Sequence, residues 1–205
     1  ALFLEDTLIV DHVDEAEQIL ISTLSQIFIQ HEQKPFYLPN IFIRVRNQQQ
    51  IQRLTKALGQ SIKIVTGFIV PKFSPDNAQS YIEQMILVNE LVAKKLYMMP
   101  IYESPSIIDL RNRIDILYLL RDSLARIEDL ILNIRVGVND LCHMFGVRRH
   151  ANESIHSIRP VSDIFSDIIT VYGMDYVISG PVWEYYAGDG WKEGMIQEIR
   201  EDRLC

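Results

Sequence analysis

The sequence contains few cysteines and no long apolar run. Only Cys142 and Cys205 occur among the 205 residues, so no disulfide framework is expected, and this usage is typical of the reducing cytoplasm. No uninterrupted apolar stretch reaches the length of about 18 residues that a membrane-spanning helix needs. The start of the chain has no basic segment followed by an apolar run, which argues against a secretory signal. We therefore expect a cytoplasmic protein with no membrane partner.

Positive charge is also scarce, and several familiar motifs are missing. The chain has 20 Lys and Arg against 27 Asp and Glu, which gives a net charge of −7. Such a balance argues against nucleic acid as a partner. No P-loop, no GxGxxG after a strand, no GxSxG and no paired CxxC is present. The sequence therefore excludes the commonest nucleotide-binding and serine-hydrolase signatures.

The sequence does contain enough apolar residues for one substantial core. Its hydrophobic content is 48%, which fits a single domain over residues 1–205. It opens on "ALFLED", without Met or a polar lead-in, so we expect the domain to be incomplete at its N-terminus.

Short apolar runs alternate with segments of helical period. The runs predicted as strands cover residues 1–4, 40–46, 62–70, 96–102, 130–138, 154–160 (the weakest) and 175–181. Helical spacing predicts one long helix over residues 107–127 and further helices around residues 51–58, 82–92 and 161–171. Ser74-Pro75-Asp76 is typical of a helix start, and Gly59 of a helix end.

This alternation predicts parallel strands joined by helical crossovers. Seven such units are one short of a (β/α)8 TIM barrel, and the first strand would lie upstream of residue 1 or be missing. An open doubly wound sheet is the alternative that periodicity alone leaves open.

Polar residues follow the predicted strands at their carboxyl ends. Such ends converge on one face of a parallel α/β fold, where active sites form. Two carboxylates on neighbouring strands suit Mg²⁺, and an arginine opposite them can bind a substrate carboxylate with two hydrogen bonds. The residues at these ends are Glu5, Asp6, Arg44, Arg46, Lys72, Glu103 and Asp140.

Each of these residues also has a structural interpretation. Asp140 could cap a helix, Glu103 could be a surface residue, and Glu5 and Asp6 could be helix-start charges. The two arginines could form rim salt bridges, and Lys72 is more typical of a rim lysine. No histidine spacing indicates a metal site, and Cys142 is interpreted as a packed thiol.

Five motifs, in order, resemble the citrate lyase beta-subunit and HpcH–HpaI aldolase family. They are "FLEDT", "IRVRN", "IVPK", "PIYES" and "VGVNDLCHMFG". The ending "DYVISGPVWEYY" resembles one branch, the C–C bond lyase-like TIM-barrel proteins encoded beside tellurite-resistance and stress genes. Four features differ. Arg46 stands where the family has an asparagine, and "GPVWEYYAGDGWKEG" stands where it has a lid segment that helps bind CoA. The 37 residues from Glu103 to Asp140 exceed the family spacing, and no histidine beside the first strand matches the base of the aldolase branch.

The resemblance implies a TIM barrel of the phosphoenolpyruvate/pyruvate-binding type and a Mg²⁺-dependent or Mn²⁺-dependent carbon–carbon lyase. Cleavage would pass through a metal-stabilised enolate of a 2-keto acid, a carboxylate or a CoA thioester. Glu103 and Asp140 correspond to the metal ligands, Arg44 to the substrate arginine, and Glu5 and Asp6 to the acidic strand-end pair, which we assign to catalysis with Arg44.

Several alternatives stay open at this stage. Arg46 and Lys72 are further predicted substrate-binding residues, and Arg46 also suggests a phosphotransfer or C–P enzyme of the wider phosphoenolpyruvate-binding barrels. A third hypothesis is a barrel that binds a metabolite without turnover in a stress-response assembly. The apolar rim around "VWEYY" is compatible with a homo-oligomer.

Overall fold

The computed structural model describes residues 1–4, 12–183, 185 and 191–202. Within them, six strands form one parallel sheet in the order of the sequence. The strands are β1 Leu2–Phe3, β2 Ile41–Arg44, β3 Val65–Val70, β4 Tyr97–Tyr102, β5 Ile134–Val136 and β6 Ile178–Ser179. The predicted α/β class and the parallel strands are confirmed.

Helices connect consecutive strands, as the crossover rule for parallel sheets requires. They are α1 Val13–Gln33, α2 Gln48–Leu58, α3 Pro75–Leu91, α4 Arg113–Leu124, α5 Val138–Phe145, α6 Arg159–Tyr172 and α7 Trp191–Asp202. Both α5 and α6 lie between β5 and β6, and α7 follows β6. None of the helices in the described ranges is long and apolar enough to cross a membrane.

The predicted helix boundaries at Ser74 and Gly59 are confirmed. The backbone N–H of Ser74 donates to Asn77 Oδ1 at 3.0 Å, and Pro75 is the first residue of α3. Gly59 follows α2 with a φ of 52°, a left-handed value that favours glycine. The long helix predicted over residues 107–127 is shorter in the structure, because 3₁₀ turns at Pro105–Ile107 and Ala125–Leu130 flank α4.

The strand predicted over residues 154–160 is wrong. A 3₁₀ turn covers Ile155–Ser157, and α6 begins at Arg159. The Ser154 side chain caps the turn by accepting a hydrogen bond from the backbone N–H of His156, a local bond that competes with a strand. The backbone N–H of Ile155 donates to Glu198 Oε2 at 2.8 Å, so it is satisfied by α7 and not by a neighbouring strand.

The two faces of the sheet carry two separate clusters of buried apolar side chains. Side chains alternate along each strand, and residues paired in register share a face. Ile43, Phe68 and Met98 are register partners and belong to the large core between the sheet and the helices. Phe42, Ile69, Met99 and Ile101 form a separate, smaller buried cluster. We call the face that carries this smaller cluster the inner face.

Candidate active site

A pocket lies at the carboxyl ends of β2, β4 and β5. Its volume is about 100 Å³, which holds several water molecules or one small organic acid. This is below the range of pockets that bind drug-sized ligands. We call it the strand-end pocket, and it is lined by Arg44, Ile101, Glu103, Arg135, Val136, Gly137, Val138, Asn139, Asp140 and Val182.

Glu103 is the buried carboxylate of this pocket. It follows β4 directly and is only 4% exposed. Its Oε1 accepts two hydrogen bonds, from Arg44 Nη2 at 3.2 Å and from the backbone N–H of Lys72 at 3.1 Å. Because a buried carboxylate needs paired charges and hydrogen bonds, these contacts hold Glu103 in one orientation.

The other side of Glu103 lies against a glycine. Gly137 follows β5, and a Cβ built there would sit 2.0 Å from Glu103 Oε2 and 2.6 Å from Glu103 Cβ. Real side chains do not approach so closely, so the position admits only glycine while Glu103 keeps this placement. The backbone N–H of Gly137 donates to Tyr102 O at 3.1 Å, which fixes the glycine beside the end of β4.

Asp140 lies in the first turn of α5 and lines the same pocket. It is half-buried, and the residue at the N-cap position is Gly137, not Asp140. A carboxylate in the first turn interacts favourably with the positive end of the helix dipole. Since β4 and β5 are neighbours, the pairing brings Glu103 and Asp140 to one pocket, as the strand-end rule predicts.

Arg44 is the last residue of β2 and lines the same pocket as these carboxylates. Besides its ion pair with Glu103, its Cζ lies 5.9 Å from the centre of the Phe3 ring. Arg46 lies beyond the strand, where its backbone N–H donates to Gln50 Oε1 at 2.6 Å. Neither Arg46 nor Lys72 is among the residues that line the strand-end pocket, and their predicted roles in substrate binding stay predictions.

Lys72 is placed in an unusual backbone conformation. Its φ of 49° is left-handed, which a residue with a side chain adopts only at a cost of about 1 kcal/mol or more. In this conformation the backbone N–H of Lys72 donates a hydrogen bond to Glu103 Oε1. Lys72 thus positions the carboxylate through its backbone, a contribution that the sequence does not reveal.

Arg135 is a pocket residue that the sequence analysis did not assign. It is the middle residue of β5 and pairs in register with Ile101 of the inner face. Burial first, and then the positive charge of Arg44, lower the pKa of the Arg135 guanidinium, whereas Glu103 acts in the opposite direction. The sequence signal was a charged residue that interrupts an apolar strand.

Other predicted features fall outside the pocket or outside the structure. Glu5 and Asp6 lie outside the described residues. Cys142 is buried in the large core, in agreement with its interpretation as a packed thiol. In the described ranges, no three His, Cys, Asp or Glu side chains are grouped so that they could hold a metal.

The strand-end pocket offers oxygen donors that suit a hard divalent cation. Zinc sites draw three or four ligands from the protein, usually with nitrogen or sulfur donors. Mg²⁺ is held through one or two carboxylates and takes its other ligands from water and substrate oxygens. Glu103 follows β4 and Asp140 lies in the first turn of α5, so the pocket offers two carboxylates, a donor set that fits Mg²⁺ or Mn²⁺ and does not fit zinc.

Comparison with known proteins gives a family and a structural neighbour. Haloferax volcanii malate synthase, solved as a magnesium/glyoxylate complex, superimposes with a TM-score of 0.68 at 16% sequence identity. The match covers 98% of this chain and 59% of the malate synthase chain, so this chain spans less than two thirds of its neighbour. No curated protein matches the sequence.

The family comparison confirms the resemblance that the five motifs and the C-terminal ending suggested. The matched family is described as "C-C_Bond_Lyase of the TIM-Barrel fold", and the match extends over residues 1–205. The TIM-barrel class predicted from the sequence is thereby confirmed, with six of its strands described here. The chain therefore belongs to the C–C bond lyase family of the TIM-barrel fold.

Proposed function

We propose that this protein is a carbon–carbon bond lyase that uses a divalent cation and acts on a small 2-keto acid or related carboxylate. One observation carries the proposal: buried Glu103 and half-buried Asp140 share a pocket with Arg44 at the ends of β2, β4 and β5. Membership of the C–C bond lyase family supports the reaction type. The neighbouring malate synthase structure holds magnesium and glyoxylate, which is compatible with the same ligand chemistry.

In this proposal, the two carboxylates bind the metal and Arg44 binds the substrate. Glu103 and Asp140 hold Mg²⁺, which when bound acts as a Lewis acid toward the substrate carbonyl. Arg44 binds the substrate carboxylate, and its guanidinium is oriented by Glu103 and by the Phe3 ring. Glu103 in turn is fixed by the Lys72 backbone, so the carboxylate and Arg44 are positioned before substrate arrives.

Several finer assignments remain part of the proposal. Glu5 and Asp6 stay predicted catalytic residues, and either of them is a candidate for proton transfer. A CoA thioester remains a candidate substrate, and the cytoplasmic location, the link to stress-gene clusters and a homo-oligomer remain predictions. The small volume of the strand-end pocket favours a compact acid as the group that reaches the carboxylates.

The proposal is tested with variants of the two carboxylates. Glu103→Gln and Asp140→Asn should each abolish Mg²⁺ binding in calorimetric titration and lower the cleavage of 2-keto acids by at least about 100-fold, because each removes a charged metal ligand. Asp115→Asn is the matched control, since Asp115 is an exposed acidic residue in the first turn of α4. It should bind Mg²⁺ like the wild type.

The outcomes separate this function from the alternatives. If either carboxylate variant turns over substrate normally in chelator-treated buffer, the assignment of Glu103 and Asp140 is wrong. Release of inorganic phosphate or a phosphonate would instead favour the phosphotransfer or C–P alternative. A second pocket arginine, Arg135, supports testing that alternative, because two cations suit a phosphate group. Tight binding of a keto acid with no product by mass spectrometry would indicate a metabolite-binding barrel.

A further inference from the structure

Arg135 faces the strand-end pocket from β5, which lies between β4 and β6 in the sheet. It is paired in register with Ile101 on one side and with Ser179 on the other. Ile101 belongs to the buried cluster of the inner face, whereas the neighbours Ile134 and Val136 belong to the large core on the opposite face. The strand therefore directs the Arg135 side chain away from the helices and toward the pocket that it lines.

Arg135 differs from two buried arginines of the protein in its ion pairing. Arg113 is paired with Asp167 at 2.9 Å, and Arg149 is paired with Glu198. In the part of the chain that the structure describes, no carboxylate forms an ion pair with Arg135, although Arg135 is half-buried and lines the same pocket as Arg44. A partly desolvated cation beside a second cation is unfavourable unless an anion compensates it.

We infer that Arg135 binds a second anionic group of the substrate, so that the pocket selects small dianions over monoanions. Arg44 and Arg135 would each bind one group, through paired hydrogen bonds that suit both carboxylate and phosphate oxygens. The substrate class is then a 2-keto dicarboxylate or a phosphorylated small acid. This inference rests on the strand-end pocket being the substrate site of the proposed function.

Binding measurements test the inference without requiring turnover. The probes are pyruvate, which has one anionic group, oxaloacetate, which has two carboxylates, and phosphoenolpyruvate, which has one carboxylate and one phosphate. Each is titrated by calorimetry in Mg²⁺ buffer against the wild type, Arg135→Gln and Arg135→Lys. Arg111→Gln is the matched control, because Arg111 is exposed in the turn before α4.

We expect the wild type to bind at least one dianion more tightly than pyruvate at millimolar concentrations. Arg135→Gln should weaken the binding of that dianion about 10- to 100-fold, because a charge-assisted hydrogen bond is lost. The same substitution should change the affinity for pyruvate less than about twofold. Arg135→Lys should restore part of the difference, and Arg111→Gln should change neither affinity. If Arg135→Gln mainly weakens oxaloacetate binding, the anionic group that Arg135 binds is a carboxylate. If it mainly weakens phosphoenolpyruvate binding, that group is a phosphate.

Other outcomes overturn the inference. Equal weakening of pyruvate and the dianions would make Arg135 a general structural support of the pocket. A wild type that does not prefer either dianion, or binds neither at millimolar concentrations, would also contradict it. The dianion preference and its loss in Arg135→Gln can hold while no carbon–carbon bond is cleaved; that result would retain the role of Arg135 and reject the proposed lyase function.

Discussion

Replacing Gly137 with alanine should displace Glu103 and disable the strand-end pocket. The added Cβ would lie 2.0 Å from Oε2, 2.6 Å from Cβ and 2.9 Å from Cδ of Glu103. Contact between carbon atoms is comfortable only near 3.5–4.0 Å, so the two segments must separate by about 1 Å. The closest carbon is the Cβ of Glu103, which is attached directly to the backbone after β4. A simple rotation of the carboxylate therefore cannot relieve the collision.

The magnitude follows from the contacts that this displacement would disturb. Overpacking alone costs about 1–3 kcal/mol. Breaking the buried ion pair of Glu103 with Arg44, together with its hydrogen bond from Lys72, would raise the total loss of unfolding free energy to about 3–5 kcal/mol. A misplacement of about 1 Å in a positioned catalytic group lowers turnover about 100-fold. We expect losses of this size in urea denaturation and in keto-acid cleavage, together with weaker Mg²⁺ binding.

A second glycine beside the same helix provides the control. Gly146 ends α5 with a φ of 66°, and a Cβ built there would meet nothing within 4 Å. Gly146→Ala should therefore cost only the left-handed strain of about 1 kcal/mol and leave Mg²⁺ affinity unchanged. If Gly137→Ala binds Mg²⁺ and cleaves substrate like Gly146→Ala, then the close approach between Gly137 and Glu103 does not support the site, and the reasoning is refuted.

Two further predictions concern buried polar groups away from the pocket. Tyr172→Phe should destabilise the fold by about 1–3 kcal/mol in urea denaturation, and more than Tyr102→Phe, because the Tyr172 hydroxyl accepts from Tyr102 and donates to Leu117 O. Burial raises the pKa of both phenols, so their stabilising contribution is complete below pH about 10 and is lost as the pH rises through their folded pKa; Tyr102→Phe should flatten this alkaline loss. An unchanged alkaline profile would contradict the assignment. Glu198→Ala should lower the free energy of unfolding by about 3–5 kcal/mol, because it removes the buried carboxylate that pairs with Arg149 and accepts a hydrogen bond from the backbone N–H of Ile155. Hydrogen exchange should rise first in α7.

The strands that the sequence predicts well are those whose apolar runs are long. Residues 62–70 and 96–102 contain β3 and β4, which are buried on both faces and read as continuous apolar segments. The weak run at residues 154–160 contains only a few apolar residues among Ser, His and Pro, and local side-chain bonding turns it into a 3₁₀ turn and a helix start. Run length and turn chemistry together account for both outcomes.

The placement of Glu103, Asp140 and Arg44 in one pocket could be predicted because it needs only the order of the strands. In a parallel sheet every carboxyl end lies at the same edge, so any polar residue directly after a strand reaches that edge. The left-handed Lys72 and the close approach of Gly137 could not be predicted, because both depend on where the neighbouring strand end lies in space.

Arg135 shows what strand register adds to a sequence pattern. In the sequence Arg135 stands between two apolar residues, so in a strand its side chain must point to the opposite face from theirs. The sequence pattern does not indicate whether the face that carries Arg135 is exposed to solvent or covered by other side chains. The register with Ile101 decides the question, because Ile101 is 3% exposed in the inner cluster while Glu103 follows two residues later on the same face. A cation on that face adjoins the carboxylate predicted to hold the metal. The role that we propose for Arg135 in selecting the substrate therefore depends on the pairing of β4 with β5, and a shift of that register by one residue would remove it.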